Sequence, residues 1–222
     1  MLPRNLDPAE VRVLGALLEK ELSTPDHYPL SLNSLASACN QSSNREPVMT
    51  LATDVVSHAI DTLRRQDLVR SFQGSGERVP KYQHLLTHSA ELSRQELAVL
   101  SVLMLRGPQT LAEVRSRAAR LLPGDEADAV ESALDGLLAR EPDPPVVRLP
   151  RRPGQKELRY AHMLGGEPAF DGGTADERDH DARVTAVGAE ERIAALESLA
   201  QHLVREVADL RAQLESFRQQ FE

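Results

Sequence analysis

The alternation of apolar and polar positions is clearest between residues 53 and 86. Apolar side chains recur there at helical spacing, which predicts an amphipathic helix with one buried face: Val55, Val56, Ala59, Ile60 and Leu63. A glycine-containing turn follows between two segments of alternating polarity, and this predicts a β-hairpin. Two more helices are predicted before residue 53. The order helix, helix, helix, hairpin is typical of a winged-helix domain, in which the third helix usually reads DNA.

The two earlier helices carry clear start and stop signals. Asp7 is a good N-cap and Pro8 suits the first helical position, so the first helix is predicted to begin at Pro8 and to end near Ser23. The second is predicted over residues 31–39. The lone cysteine, Cys39, lies among small apolar residues and is predicted to be buried rather than reactive.

An unusually polar loop occupies residues 40–47 between the second and third predicted helices. Its side chains suit a turn, because Asn and Ser bond to their own backbone. They also suit contact with phosphate, for which Asn, Gln, Ser and Arg are favoured donors. Both interpretations stay open, and Asn44 and Arg45 are the candidate phosphate contacts.

The second half of the chain repeats the first. The spacing of apolar residues after Leu92 reproduces that after Leu6, and two short segments recur in the same order: Ala133-Leu134-Asp135 matches Ala59-Ile60-Asp61, and Arg159-Tyr160-Ala161-His162 matches Lys81-Tyr82-Gln83-His84. A repeat of this kind implies two copies of one small fold. The predicted fold class is therefore mainly α with small β-hairpins (α+β), with winged-helix domains at residues 1–90 and 91–164.

The remaining residues differ in character. Residues 165–188 are acidic and glycine-rich, which is typical of a flexible linker. Residues 189–222 carry the alternating three-four apolar spacing of a coiled coil, at Ile193, Leu196, Ala200, Leu203, Val207, Leu210, Leu214, Phe217 and Phe221. A parallel pair would oppose complementary charges, so the protein is predicted to be a homodimer. Alternatively this helix packs within one chain, since Leu199 and Val204 widen its apolar stripe.

Composition and charge narrow the class of protein. The chain has 222 residues and a formal charge of -8. Residues 1–90 carry 9 basic and 10 acidic side chains, residues 91–165 carry 11 and 11, and residues 166–222 carry 6 and 13. The excess acid thus lies in the tail, and local basic patches on the domains stay compatible with DNA. One cysteine and the absence of a long apolar run predict a cytoplasmic protein without membrane spans.

Candidate DNA contacts follow from the exposed polar positions. In the first domain they are Thr53, Ser57, His58, Arg64, Arg65, Arg70, Arg78 and Lys81. In the second hairpin they are Arg148, Arg151, Arg152 and Lys156, which could track phosphates or alternatively form a solvated edge that discourages aggregation. The third helix of the second domain exposes Asp128, Glu131 and Asp135, which would repel phosphate. Asp54 and Asp61 similarly lower the affinity expected of the first domain.

Catalytic patterns are not found in the sequence. The histidines are scattered, and neither metal-ligand spacing nor a glycine-rich phosphate loop occurs. Glu19 and Glu21 are predicted to be surface residues. We therefore expect a protein that is not an enzyme and uses neither cofactor nor metal.

Three segments of the first domain, residues 19–26, 28–35 and 38–49, carry a long and specific pattern that includes Tyr28-Pro29-Leu30-Ser31-Leu32-Asn33 and Asn40-Gln41-Ser42-Ser43-Asn44-Arg45-Glu46-Pro47. In these segments the chain resembles the YceH-like family of uncharacterised bacterial proteins. The resemblance implies two winged-helix domains in tandem and brings no established activity.

Two functional hypotheses follow. In the first, the protein is a dimeric transcriptional regulator that binds double-stranded DNA through the helix at residues 53–65 and through its hairpins. In the second, it is a scaffold whose tandem winged domains bind other proteins, as in chromosome-segregation complexes. The distinguishing feature is whether the arginines of the third helix and hairpins converge on one face.

Overall fold

The computed structural model describes residues 2–73, 79–124, 126–151 and 157–167, all within one compact unit. The first half contains α1 (Pro8–Ser23), β1 (Leu30–Ser31), α2 (Leu32–Cys39), α3 (Thr53–Arg65), β2 (Val69–Phe72), β3 (Lys81–His84) and the short α4 (Leu86–Ser89). The second contains α5 (Arg94–Arg106), β4 (Gln109–Thr110), α6 (Leu111–Ala118), α7 (Val130–Ala139), β5 (Val146–Leu149) and β6 (Arg159–His162). The fold is α+β, with helices predominating.

Short-range signals set the starts of three helices. Asp7 accepts a hydrogen bond from the Glu10 N–H while the Glu10 side chain accepts from the Asp7 N–H, which confirms the predicted N-cap of α1. The same reciprocal arrangement caps α5, and α6 begins likewise at Thr110. These caps satisfy backbone donors that the first helical turn would otherwise leave unpaired.

The repeat predicted from the sequence is present in the order of elements and in both sheets. The first sheet has the antiparallel order β1-β3-β2 and the second has β4-β6-β5. Equivalent residues also occupy equivalent registers, since Val69 pairs with His84 across the first hairpin and Val146 pairs with His162 across the second. Each half therefore places its third long helix beside a two-stranded hairpin.

The two halves share one apolar core in which α1 packs on α5. Gly15 makes this close approach possible, because a Cβ atom there would lie 3.1 Å from Met104 Cβ and 3.2 Å from Leu105 Cγ. The N-terminal segment adds a backbone hydrogen bond of 2.9 Å from Leu6 N to Leu164 O. The halves are thus joined by helix packing as well as by the chain.

The burial pattern confirms most of the predicted core and corrects three positions. Cys39 is buried, and burial raises the pKa of its thiol to about 12. Val55 was predicted to be in the core but is 41% exposed, because it lies at the edge of the apolar stripe on α3. Glu19 and Glu21 were predicted to be at the surface, whereas Glu19 is buried and Glu21 is half-buried by partners distant in sequence. No helix in the described ranges is long and apolar enough to cross a membrane.

Candidate nucleic-acid interface

Helix α3 presents a polar face opposite the side that enters the core. Val56, Ala59, Ile60 and Leu63 are buried. Among the predicted contacts on this helix, Thr53, His58, Arg64 and Arg65 are exposed and Ser57 is half-buried. Since core packing fixes the rotation of the helix, it also fixes which side chains face solvent.

Three predicted arginines line one groove between the end of α3 and strand β2. Arg64, Arg65 and Arg70 lie around a concavity of about 500 Å³, together with Asp61 and Asp67. We call this the arginine groove. The guanidinium groups come from two different elements, so the fold brings together residues that the sequence placed on separate segments.

Each guanidinium in the arginine groove is held by a local partner. Arg64 pairs with Asp61 at 3.3 Å, and both side chains are about half exposed. Arg65 donates to the Thr62 hydroxyl at 2.8 Å. Such exposed ion pairs contribute at most about 1 kcal/mol, so an incoming phosphate can displace them.

Arg70 is held across the hairpin. It is the register partner of Gln83, and with the amide oxygen of Gln83 turned toward it, Arg70 donates through Nη2 at 2.9 Å and through Nε at 2.8 Å. This bidentate contact aligns a planar guanidinium on the sheet without neutralising its charge. Lys81 is half-buried at the start of β3.

The second half differs from the first at the equivalent positions. Helix α7 exposes Glu131 and Asp135, as predicted, and Glu131 pairs with Arg115 at 3.5 Å. Arg148 is exposed on β5, 5.7 Å from the centre of the Tyr160 ring. Arg151 lines a separate concavity of about 380 Å³. In the second half, therefore, basic side chains lie on the hairpin and acidic ones on the helix.

Several predicted contacts lie outside the described residues. These are the hairpin residues Arg78, Arg152 and Lys156 and all nine predicted dimerisation residues, Ile193, Leu196, Ala200, Leu203, Val207, Leu210, Leu214, Phe217 and Phe221. Within the described ranges, no group of three His, Cys, Asp or Glu residues is arranged to hold a metal ion.

The polar loop turns its main basic residue inward. Arg45 is buried and donates to both carboxylate oxygens of Glu19, at 2.7 and 3.2 Å. It also donates to the Ala38 carbonyl through two nitrogens and to the Gln41 side chain. With its donors occupied inside the protein, Arg45 is not available to phosphate. We therefore remove it from the interface predicted from the sequence.

Other polar groups of this loop also bond inward. Asn40 exchanges two hydrogen bonds with the Leu51 backbone, at 2.7 and 2.8 Å. Buried Arg12 donates to the carbonyls of Cys39 and Pro47, and the Glu46 N–H donates to the Leu105 carbonyl at 2.8 Å. The loop is thus a structural crosslink between α1, α2 and α5, which favours the first of the two interpretations.

The signal that could have predicted this crosslink is the spacing of Arg12 and Glu19. They are seven residues apart on α1 and share a face with small Gly15 and Ala16. Charged residues on a face that otherwise carries small side chains indicate burial with a partner. Asn44 is exposed, and its Oδ1 accepts a hydrogen bond from Arg106 of the second half.

A second internal cluster surrounds His84. Its Nδ1 accepts from the Leu86 N–H at 3.2 Å, so the proton lies on Nε2, which is hydrogen-bonded to Glu21. The Tyr28 hydroxyl accepts from the His84 N–H at 2.7 Å. The bond from His84 lowers the pKa of Glu21, and burial raises the pKa of Tyr28. This cluster joins α1 to the first sheet.

Together these contacts define a two-part α+β protein with internally bonded loops and a basic groove beside its third helix. Comparison with known proteins gives the family. The family described as "Protein of unknown function, DUF480" matches residues 6–155, and the chain belongs to it. This confirms the family resemblance identified in the sequence.

Relatives are similar along almost the whole chain. A UPF0502 protein of Geobacter sulfurreducens is 49% identical over 220 residues, which cover 98% of each chain. Another from Azoarcus is 47% identical over 218 residues, covering 98% of this chain and 95% of the relative. A third from Pectobacterium atrosepticum is 43% identical over 211 residues, covering 93% and 98%.

Proposed function

We propose that the protein is a DNA-binding transcriptional regulator built from two winged-helix domains. The observation that carries this proposal is the arginine groove, where α3 and the first hairpin together present three guanidinium groups. The repeated order of helices and hairpin supports the winged-helix assignment of each half. In such a domain the third helix enters the major groove while basic side chains fix its position by binding phosphate.

The charges around the arginine groove set the expected strength of binding. Asp61 and Asp67 line the groove with the three arginines, so its net charge is only slightly positive. Non-specific affinity depends on the number of phosphates that are neutralised. We therefore expect moderate and selective binding rather than tight coating of DNA.

The proposal includes a dimer paired through the heptad segment at residues 189–222. Two copies would offer two α3 helices to two half-sites, which raises affinity without new contacts. Deleting residues 189–222 should convert a dimer into a monomer in light scattering. An unchanged oligomeric state after the deletion would contradict this part of the proposal.

DNA binding is tested by capturing sheared genomic DNA with the purified full-length protein and sequencing what is retained. We expect enrichment of a few loci that persists at moderate salt and is lost in Arg64→Ala/Arg65→Ala and in Arg70→Ala. The matched control is Arg4→Ala, because Arg4 is an exposed, ion-paired arginine that is not among the candidate DNA contacts. If a dimer uses all three arginines on each chain, log K should fall with log salt with a slope of about -5.

A second candidate is a protein-binding scaffold, and one observation favours it. Among the described residues of the first half, four large apolar side chains are exposed: Val48, Val55, Phe72 and Val79, which are 58%, 41%, 51% and 53% exposed. Exposed apolar groups of this kind mark protein contacts when they are contiguous. Uniform or absent DNA retention, together with partner capture that Val55→Ser and Phe72→Ser abolish, would support the scaffold instead.

A further inference from the structure

A second basic concavity lies where the two halves meet, away from α3 and the first hairpin. Four cations line it, and we call it the cationic cleft: Lys20 from the first half and Arg106, Arg117 and Arg120 from the second. Its volume is about 320 Å³. This is the lower end of the range of about 300–1,000 Å³ typical of small-molecule sites.

The cations of the cleft exceed the carboxylates that could neutralise them. Glu19 is the one acidic residue in the lining, and it is already bonded to Arg45 and paired with Lys20 at 3.2 Å. Arg117 pairs at 3.3 Å with Glu113, which lies outside the lining and also contacts Arg159 at 3.5 Å. Arg106 donates only to the neutral Asn44 side chain among the described residues. Arg120 is exposed and makes no hydrogen bond or ion pair within the described part of the chain.

The crowding of like charges in the cleft affects the pKa of Arg106. Burial, followed by the neighbouring charges of Arg117 and Arg120, lowers the pKa of Arg106. Guanidinium groups held close together in a partly desolvated cleft repel one another. The unbound cleft therefore carries an excess of positive charge. A bound anion would relieve the repulsion among its arginines.

The rest of the lining determines what kind of anion fits. Ser43 and Asn44 supply neutral hydrogen-bonding groups, and Val102, Leu105 and Leu121 form an apolar wall. Planar guanidinium groups bind phosphate bidentately, and an apolar wall suits the sugar or base attached to it.

We propose that the cationic cleft binds a small organophosphate, held by Arg106, Arg117 and Arg120 and bridging the two halves of the protein. The bridging follows from the lining, since Lys20 and Asn44 belong to the first half and the three arginines to the second. Such a ligand would favour the packed arrangement of the halves and give the protein an effector site. This site is independent of the proposed DNA contacts.

The test measures binding to the full-length protein by calorimetry and by thermal shift. The probes are pyrophosphate, AMP and ribose 5-phosphate, with adenosine and ribose as uncharged counterparts. We expect at least one phosphorylated probe to bind saturably at physiological salt and to raise the Tm by about 5–10 °C at a hundredfold excess over Kd. The uncharged counterparts should not bind.

Point variants distinguish binding of phosphate in the cationic cleft from non-specific attraction of anions to the protein surface. Arg120→Gln should weaken binding about tenfold or more and leave the unliganded Tm unchanged, because Arg120 is exposed and makes no hydrogen bond to the described residues. The matched control is Arg115→Gln on α6, outside the cleft, which should bind like the wild type.

Three results would overturn the proposal. The first is that no phosphorylated probe binds saturably at physiological salt. The second is that Arg106→Gln and Arg120→Gln bind as tightly as Arg115→Gln. The third is that Arg120→Gln loses genomic DNA retention while small phosphates never bind, which would assign the cleft to nucleic acid. If instead DNA retention fails and AMP still binds through Arg120, only the regulator proposal is wrong.

Discussion

The buried contact between Arg45 and Glu19 gives the sharpest prediction about stability. Arg45→Ala removes a guanidinium whose side chain is fully buried and leaves the Glu19 carboxylate, only 11% exposed, without its bidentate partner. Removing one partner of a buried ion pair costs about 3–5 kcal/mol, because the remaining carboxylate stays desolvated and keeps only its contact with the partly exposed Lys20. The Ala38 carbonyl loses its two donors as well.

The magnitude differs sharply from that of an exposed pair in the same protein. Asp61→Ala breaks the contact with Arg64, whose side chain is 45% exposed, and should cost less than about 1 kcal/mol. For a unit of this size, the Arg45→Ala loss corresponds to a Tm lower by roughly 6–20 °C. Arg45→Ala removes a buried charge contact together with the donors to the Ala38 carbonyl, whereas Asp61→Ala removes one exposed charge contact.

Urea denaturation of the full chain measures the free energies of unfolding of Arg45→Ala and Asp61→Ala. The double variant Arg45→Met/Glu19→Leu is measured as well, because it removes both charges of the buried pair. The double variant removes the stranded charge, so it should recover all but about 1–3 kcal/mol, the cost of an unsatisfied Ala38 carbonyl. A loss below about 1 kcal/mol for Arg45→Ala, or a double variant less stable than the single one, would refute the reasoning.

Two further predictions concern the core. Burial lowers the pKa of His162 to about 4, and its Nδ1 has no partner among the described residues. The unfolded chain therefore binds the extra proton first as pH falls, and stability should decrease between about pH 6.5 and 4, in total by on the order of 3 kcal/mol. Urea midpoints at several pH values should show a steeper slope in the wild type than in His162→Phe, because the lowered pKa of Glu21 contributes the same pH dependence to both proteins; equal slopes would contradict the prediction. Gly15→Leu should destabilise the protein by about 1–3 kcal/mol or more, because the added atoms meet Met104 and Leu105 where α1 packs on α5. The control Gly136→Ala, in open space on α7 apart from Glu96 Oε1 at 3.6 Å, should instead stabilise by about 0.5–1 kcal/mol, and equal thermal shifts for both would refute the packing argument.

Local patterns predicted the elements themselves with good accuracy. Helix α1 begins at Pro8 after the Asp7 cap, and α3 covers Thr53–Arg65 as the apolar spacing indicated. The repeat predicted two similar halves, and the structure has the same strand order in both sheets. Periodicity and capping depend on residues within one or two turns of each other, so the sequence contains all that they require.

The polar loop shows where such reasoning fails. Its composition fits both a phosphate contact and an internal turn, because the same side-chain donors serve either purpose. The choice depends on Glu19, which is 26 residues from Arg45 and reaches it only after α1 and α2 have packed. The pattern on α1 indicates that Glu19 is buried, but the residues next to Arg45 in sequence do not identify Arg45 as its partner.

By itself, then, the sequence determined the family, the α+β class, the positions of α1, α2, α3 and the two hairpins, and the repeat. Only the tertiary structure decided which cations meet: Arg64 and Arg65 with Arg70 in the arginine groove, and Lys20 with Arg106 in the cationic cleft. Local geometry repeats over a few residues, whereas the convergence of charges depends on how distant helices pack, and packing is fixed by the whole core.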